Sequence, residues 1–411
     1  MRILLSTFGS YGDLFPFLAV GDELRRRGHQ VTVATSALYR SKIDSTGLGF
    51  HPVRPDVAFD DQQVLAYVMD AKHGSERIIR YLASSVRDSY EDILGPAEYS
   101  DLIVTHPITF ASVLAAQKLE KPWVSAVLSP ISFLSAYDPP VLAPAPWLHR
   151  LNFLGPGFNR LWVAAAKRGS LAWLKPVLAL RTELGLSAGE NPLFEGQHSP
   201  VLVLALFSPL LASPQADWPP QSAVTGFCFF DDGGLPAPLQ AFLDAGPAPV
   251  VFTLGSSAVG TAGDFYLQSL IAVQELGVRA VFLTGFQPQE LPPVLPEQIL
   301  RISYAPHFLL FSRAAAVVHQ GGIGTTAQTL RAGRPMLIVP FAHDQFDNAG
   351  RVRRLGAAEI IPRPRYTAKR AQDSLARLFA AAPQQAAQAI GERIRSGNGA
   401  TAAADAIERT R

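Results

Sequence analysis

The stretch over residues 2–36 constrains the fold most. "RILLST" is an apolar run, "FGSYGDLFP" a turn-rich loop, "FLAVGDELRRRGH" a helix pattern and "QVTVATS" a second apolar run. Two short apolar runs flanking a helical period read as a βαβ unit, and its strands are parallel because the chain returns through a helix. Leu18, Val20 and Leu24 supply the helix's buried face, Arg25 to Arg27 put cations in its last turn, and Gly28 stops it. Parallel strands need helices on both faces, so the rhythm must continue.

The rhythm continues in "DLIVTH" and "PWVSAVLS", two further strands separated by the helix pattern "ITFASVLAAQKLE". A Pro- and Gly-rich region, residues 226–248, then interrupts it. After that, "PVVFTLGSS", "RAVFLTG", "AAAVVHQGG" and "RPMLIVP" read as strands, with "DFYLQSLIAVQELG" and "TTAQTLRAG" as helices. The expected fold is α/β, with two Rossmann-like doubly wound domains facing across a cleft. Their expected bounds are residues 1–225 and 249–390, joined by a linker at 226–248, with a C-terminal helix over 391–411 packing back on the first domain.

A length of 411 residues lets each domain bury its own core. With 36 Lys plus Arg against 34 Asp plus Glu, the charge of +2 makes no case for nucleic acid as partner. The one cysteine, Cys228, excludes an intrachain disulfide and a cysteine-rich metal cluster, which fits a reducing, cytoplasmic setting. No apolar leader precedes the first strand, and the longest apolar run, "VLVLALF", is too short to cross a bilayer. Residues 138–175 are rich in Pro, Trp, Phe and Leu with scattered Arg and Lys. They read either as packing on the first domain or as a mobile wall of an apolar substrate site that touches a membrane. Peripheral contact with an inner membrane stays open on this reading, as do a monomer and a homodimer.

In parallel α/β sheets ligands sit where strands end and helices begin. Two such loops in the second domain, "LGSS" at 254–257 and "HQGGIGTT" at 319–326, offer backbone amides with Ser and Thr hydroxyls, the makings of an anion site. Gly321, Gly322 and Gly324 permit close approach of a ligand, and Thr325 and Thr326 are candidates to cap the next helix. The first-domain loop "GSYGD" lacks the third glycine of a dinucleotide fingerprint, and "VTVATS" ends without a ribose-binding carboxylate, which sets hydride transfer behind anion binding. Asp13, next to that loop, reads either as a helix cap or as a general base projecting into the cleft. Asp344 and Gln345 in "FAHDQFDN" would meet a polyhydroxylated ligand, and the absence of a DxD pair or a His cluster sets metal aside.

With these residues in place, the chain resembles the UDP-glycosyltransferase superfamily, the nucleotide-sugar-dependent enzymes of the glycosyltransferase B fold. The likeness runs nearly the full length. It is most specific in "SYAPHFLLFSRAAAVVHQGGIGTTAQTLRAGRPMLIVPFAHDQFDN", similar to the family's donor-binding signature, and in "GSYGDLFPFLAVGDELRRRGH", similar to its N-terminal motif. The resemblance implies inverting, metal-independent hexosyl transfer from a UDP- or dTDP-sugar co-substrate, with no resident cofactor, to a hydroxyl of a small, mainly apolar acceptor such as a lipid, sterol, polyketide or phenolic.

It also implies roles. Asp13 matches the general base, and His106, ending "DLIVTH", falls where plant members carry the base's aspartate partner, so the two identities are exchanged. Tyr304 matches the residue that stacks on the nucleobase, with the backbone of Ala305 beside it to read the base edge. Ser256, His319, Gln320, Gly321, Gly322, Gly324 and Thr325 fall on the diphosphate site, Gln328 on the ribose-binding glutamate, and Asp344 and Gln345 on the pair that holds the transferred sugar. The departures are Gln320, standing where the family's phosphate-binding histidine falls, and Gln328 in place of the glutamate. Two competing readings on the same fold are a non-catalytic nucleotide-sugar-binding protein and a nucleotide-sugar epimerase.

Overall fold

A computed structural model describes residues 1–56 and 62–410. Seven strands form the first sheet: β1 (Arg2–Ser6), β2 (Gln30–Thr35), β3 (Gly49–Pro52), β4 (Leu102–Thr105), β5 (Trp123–Val127), β6 (Val203–Ala205) and β7 (Ser222–Val224). All are parallel, in the order β3-β2-β1-β4-β5-β6-β7. The second sheet holds β8 (Val250–Thr253), β9 (Ala280–Leu283), β10 (Ile299–Ile302), β11 (Ala316–His319), β12 (Met336–Ile338) and β13 (Ala358–Ile360). It too is wholly parallel, in the order β10-β9-β8-β11-β12-β13. Each sheet therefore starts in the middle, builds outward to one edge, and returns to build the other.

The pleat explains the unbroken apolar runs. Ile3 and Leu5 of β1 join one core cluster while Leu4 joins the other, and in β8 Phe252 and Val251 divide in the same way. Strand order reverses between β1 and β4 and again between β8 and β11, so each domain has one switch point where two loops diverge and leave a crevice.

Three expected boundaries shift. The first helix is Tyr11–Arg26, so most of the stretch read as a loop is its opening turn, with Pro16 inside it. The second half of the expected linker is a helix, Ala237–Asp244, whose Leu239 and Leu243 pack with Val251 and Val281 in the second domain. The C-terminal stretch is two helices. Ala381–Arg395 packs on the second domain, and Gly399–Glu408, capped by Asn398, lies against Tyr11–Arg26 in the first. Arg27 fastens that last helix through Asp405 at 2.6 Å and Glu408 at 2.9 Å, and His29 meets Glu408 at 2.8 Å.

A second tie crosses the domains. The guanidinium of Arg351, 2% exposed, donates to Asp347 at 2.7 Å, to the Leu211 carbonyl at 3.1 Å and to Asp138, while the amide of Val141 donates to Asp347 at 3.1 Å. The start of the 138–175 segment is thus bolted to the second domain. Among the described residues no helix is long and apolar enough to cross a membrane.

Candidate active site

The loops after β1 and β4 hold the first half of the site. Ser10 caps the helix Tyr11–Arg26: its hydroxyl accepts from the Gly12 amide at 3.2 Å. The Ser10 amide and hydroxyl donate in turn to Asp13 Oδ2 at 2.7 and 3.1 Å. This capping box fixes the carboxylate in the first helical turn and leaves Oδ1 facing His106, whose Nε2 is 3.5 Å away. The His106 ring is nearly buried, and its Nδ1 has no hydrogen-bond partner among the described residues. Pro16 brings no amide, so the Gly12 carbonyl lacks the donor that an i+4 residue would otherwise supply.

The loop after β11 faces this one. Helix Ile323–Arg331 begins at Gly322 with no side-chain cap, leaving the amides of Ile323, Gly324 and Thr325 without intrahelical acceptors. A methyl group on Gly324 would come within 3.1 Å of Gly12 Cα, so the two helix starts nearly touch across the cleft. Glycine at 324 is what permits that approach. Thr325 and Thr326 lie inside the helix, buried, rather than at its cap, which corrects the capping expectation.

The structure gives His319 and Gly321 scaffold roles and spends one end of the Gln345 amide on its own loop. His319 ends β11 completely buried; its Nδ1 accepts from the Gly321 amide at 3.0 Å and its Nε2 lies 3.2 Å from Met336 Sδ. Burial, with His307 nearby, pushes its pKa down to about 3, so the ring is neutral and shapes the turn. The Gly321 amide is spent on that ring, and with φ at +92° and Ile338 Cγ2 only 2.8 Å from where a Cβ would sit, Gly321 is a turn residue. Gln345 Oε1 accepts from the amides of Phe341 and Ala342 at 2.8 and 3.0 Å, clamping its own loop and keeping only Nε2 for other partners.

Gln320 is 3% exposed, with Nε2 packed against Gly255 and Gly322; its Oε1 and that of Gln328 are unpaired among the described residues. Buried polar atoms ordinarily find partners, so the Gln320 oxygen, on the loop after β11, is left to meet a donor from outside the described residues. Ser256 is exposed in the short turn Gly255–Ala258 after β8. Tyr304 is 51% exposed; burial of its remainder, and the proximity of Tyr11 from the first domain and Asp232 from the interdomain connection, raise its hydroxyl pKa. Ala305 is fully buried, its methyl packed in the second domain's core.

Asp344 stands at the N-terminus of helix Gln345–Arg354. Burial pushes its carboxyl up to about 7; the hydrogen bond from Asn348 opposes the rise, and the charge of Asp13 adds to it. Asn348 escaped the sequence reading. It is fully buried and ties three loops together, with Nδ2 donating to Asp344 at 2.7 Å and to the Gly321 carbonyl at 3.0 Å, and Oδ1 accepting from Ser129 at 2.9 Å. Its place four residues after Asp344 on a helix was the available signal. His343, in a left-handed conformation at φ +54°, meets Ser75 of the first domain at 3.1 Å. Among the described residues, no three His, Cys, Asp or Glu side chains gather as metal ligands.

A general base candidate in one doubly wound domain, opposite an uncapped helix start in the other, is the arrangement of a two-domain glycosyltransferase. Residues 3–86 match the model "Glycosyltransferase family 28 N-terminal domain" and residues 273–405 match "Erythromycin biosynthesis protein CIII-like, C-terminal domain". O-mycaminosyltylonolide 6-deoxyallosyltransferase of Streptomyces fradiae is 33% identical over 374 residues, covering 88% of this chain and 86% of that one. A sterol 3-beta-glucosyltransferase of Neurospora crassa is 29% identical over 446 residues; all of this chain aligns, spanning 27% of that longer protein. The chain belongs to the UDP-glycosyltransferase superfamily and is a hexosyltransferase. Its fold matches the glycosyltransferase of kitacinnamycin with a TM-score of 0.73 at 21% identity, covering 100% and 98% of the two chains. It matches glycosyltransferase VinC, solved with dTDP, at 0.72 and 22%, covering 100% and 99%.

Proposed function

We propose that the protein transfers a sugar, with inversion and without a metal or resident cofactor, from a UDP- or dTDP-sugar to a hydroxyl of a small, mainly apolar acceptor. One observation carries this reading: the Asp13 carboxylate and the bare N-terminus of Ile323–Arg331 confront each other across the Gly12–Gly324 contact. Asp13 Oδ1 takes the acceptor's hydroxyl proton as that oxygen bonds to the sugar's anomeric carbon. The bond from that carbon to the diphosphate breaks with its electron pair on the leaving phosphate oxygen. The Ile323, Gly324 and Thr325 amides, with Ser256 and the Gln320 amide, meet the developing charge. His106 beside Asp13 orients the carboxylate and steadies the proton it gains.

Asp344 and Gln345 Nε2 would hold the sugar, Tyr304 would stack on the base, and Gln328 would meet the ribose. The macrolide-type and sterol-type names of the relatives support an apolar acceptor, and neighbours solved with dTDP support a pyrimidine nucleotide. The single buried thiol, Cys228, supports action in a reducing compartment. The test is to incubate the protein with UDP-glucose or dTDP-glucose and hydrophobic acceptors, then follow nucleoside diphosphate release. Failure to bind any pyrimidine nucleotide overturns the reading. Gln320→His restores a chargeable donor at the leaving group and should raise kcat with the preferred donor by ~tenfold.

A further inference from the structure

Between Asp138 and Glu183 the chain runs 44 residues, 139–182, without one acidic side chain, although about one residue in twelve is acidic overall. The same stretch carries six cations: Arg150, Arg160, Lys167, Arg168, Lys175 and Arg181. It folds into a helical hairpin, the 3₁₀ segment Pro146–Leu154 packed on helix Gly155–Ser170, and none of Pro146–Leu154 is buried. Phe153 is 80% exposed, Leu161 70%, Trp147 59% and Leu154 52%. Along the helix, Leu161, Ala164, Ala165 and Arg168 recur at i, i+3, i+4 and i+7, giving an outer face that is apolar with a cation at its end. Arg150, Arg168 and Lys175 are exposed and have no acidic partner among the described residues.

We propose that this hairpin docks on an anionic lipid surface, with Trp147, Phe153, Leu154 and Leu161 entering the headgroup boundary and the cations meeting lipid phosphates. Large exposed apolar side chains mark a contact surface, and although Glu190 and Glu195 answer Lys167, the unpaired Arg150, Arg168 and Lys175 leave a cationic margin that selects the charge of the partner. A second copy of the chain is a poor occupant, because a two-fold interface would set this patch on itself and oppose like charges. The inference does not rest on glycosyl transfer. Its surface lies outside the groups assigned to the donor and the base, so nucleotide binding and lipid binding can fail separately.

The test is co-sedimentation of the full chain with vesicles of phosphatidylglycerol and phosphatidylcholine, against vesicles of phosphatidylcholine alone. Binding to the anionic vesicles that weakens in high salt, with a blue shift of Trp147 fluorescence lost in Trp147→Ala, is the expected result. Phe153→Glu with Leu161→Glu should weaken vesicle binding by at least ~tenfold, and Arg168→Gln by about fivefold, with nucleotide affinity unchanged. Equal binding to neutral vesicles, no binding to either, or undiminished binding by the double variant overturns the proposal. Concentration-dependent dimers that disappear with Leu161→Glu, without vesicle binding, would overturn it in favour of self-association.

Discussion

Two helices begin on opposite walls of one cleft, and they begin differently. Tyr11–Arg26 satisfies its own N-terminus: Ser10 caps it and Asp13 places a carboxylate in its first turn. Ile323–Arg331 satisfies nothing at its start, for Gly322 has no side chain to cap with and no other side chain serves. Each end carries roughly half a positive charge from its aligned peptide dipoles. In the first domain a built-in anion answers that charge. In the second the charge is left to attract an anion from outside. On the proposed function the same local element serves a base on one wall and a leaving group on the other, and the difference lies in a few residues at each helix start.

The largest expected effect comes from removing the built-in anion. Asp13→Ala and Asp13→Asn should each lower kcat by ~10²–10⁴-fold while nucleotide affinity, read by calorimetry, stays within about threefold. The two variants divide the residue's roles. Asparagine keeps an acceptor for the Ser10 amide, so only the alanine variant should also lose about 1 kcal/mol of stability in denaturant titrations. Equal loss of nucleotide affinity and turnover would make Asp13 a structural residue.

The bare end can be broken without breaking its helix. Ile323 is the first helical residue, where proline is tolerated, and Gly322 before it already has the extended backbone a following proline prefers, at φ −59° and ψ 142°. Ile323→Pro deletes one amide donor and should weaken UDP or dTDP binding by ~tenfold. Ile323→Ala removes the side chain's packing and keeps the amide, so a matching loss there would show that packing, and not the donor, had been measured.

A smaller effect follows from the carboxyl that faces Asp13. With its pKa pushed up to about 7 by burial and by Asp13, Asp344 is largely protonated at acid pH and largely ionised at alkaline pH. Only the ionised form accepts from two sugar hydroxyls at once. Affinity for UDP-glucose, whose own diphosphate does not titrate in this range, should therefore rise by roughly fivefold from about pH 6 to about pH 8. Asp344→Asn should flatten that profile, and a profile that keeps its slope would place the titration elsewhere.

What could be read from residues alone was position. The alternation of apolar runs with helical periods located both sheets and all four loops at the switch points, because those patterns are local. How each polar atom is spent was hidden, since that depends on the geometry of each turn and on neighbours elsewhere in the chain, neither of which is a sequence pattern. His319 is occupied by Met336 and the Gly321 turn, Gln345 by its own loop, and Asn348 by Ser129, 219 residues away. The first helix was read as starting late because "GSYGDLFP" combines turn formers with a proline. Pro16 is accommodated there at the expense of one helical hydrogen bond, whose abandoned acceptor is the Gly12 carbonyl at the cleft.

The smallest effect separates capping from chemistry at the first helix. Ser10→Ala removes the hydroxyl that accepts from the Gly12 amide and donates to Asp13, but it leaves the Ser10 backbone amide, which makes the shorter bond to the carboxylate at 2.7 Å. Loss of the cap should cost about 1 kcal/mol of stability. Because the backbone bond still holds Asp13 in the first turn and Oδ1 still faces His106, turnover should fall only a few-fold, far less than in Asp13→Asn. If Ser10→Ala matched Asp13→Asn in turnover, the hydroxyl would be the group that aims the carboxylate. The first helix's self-sufficiency would then be a catalytic device as much as a cap.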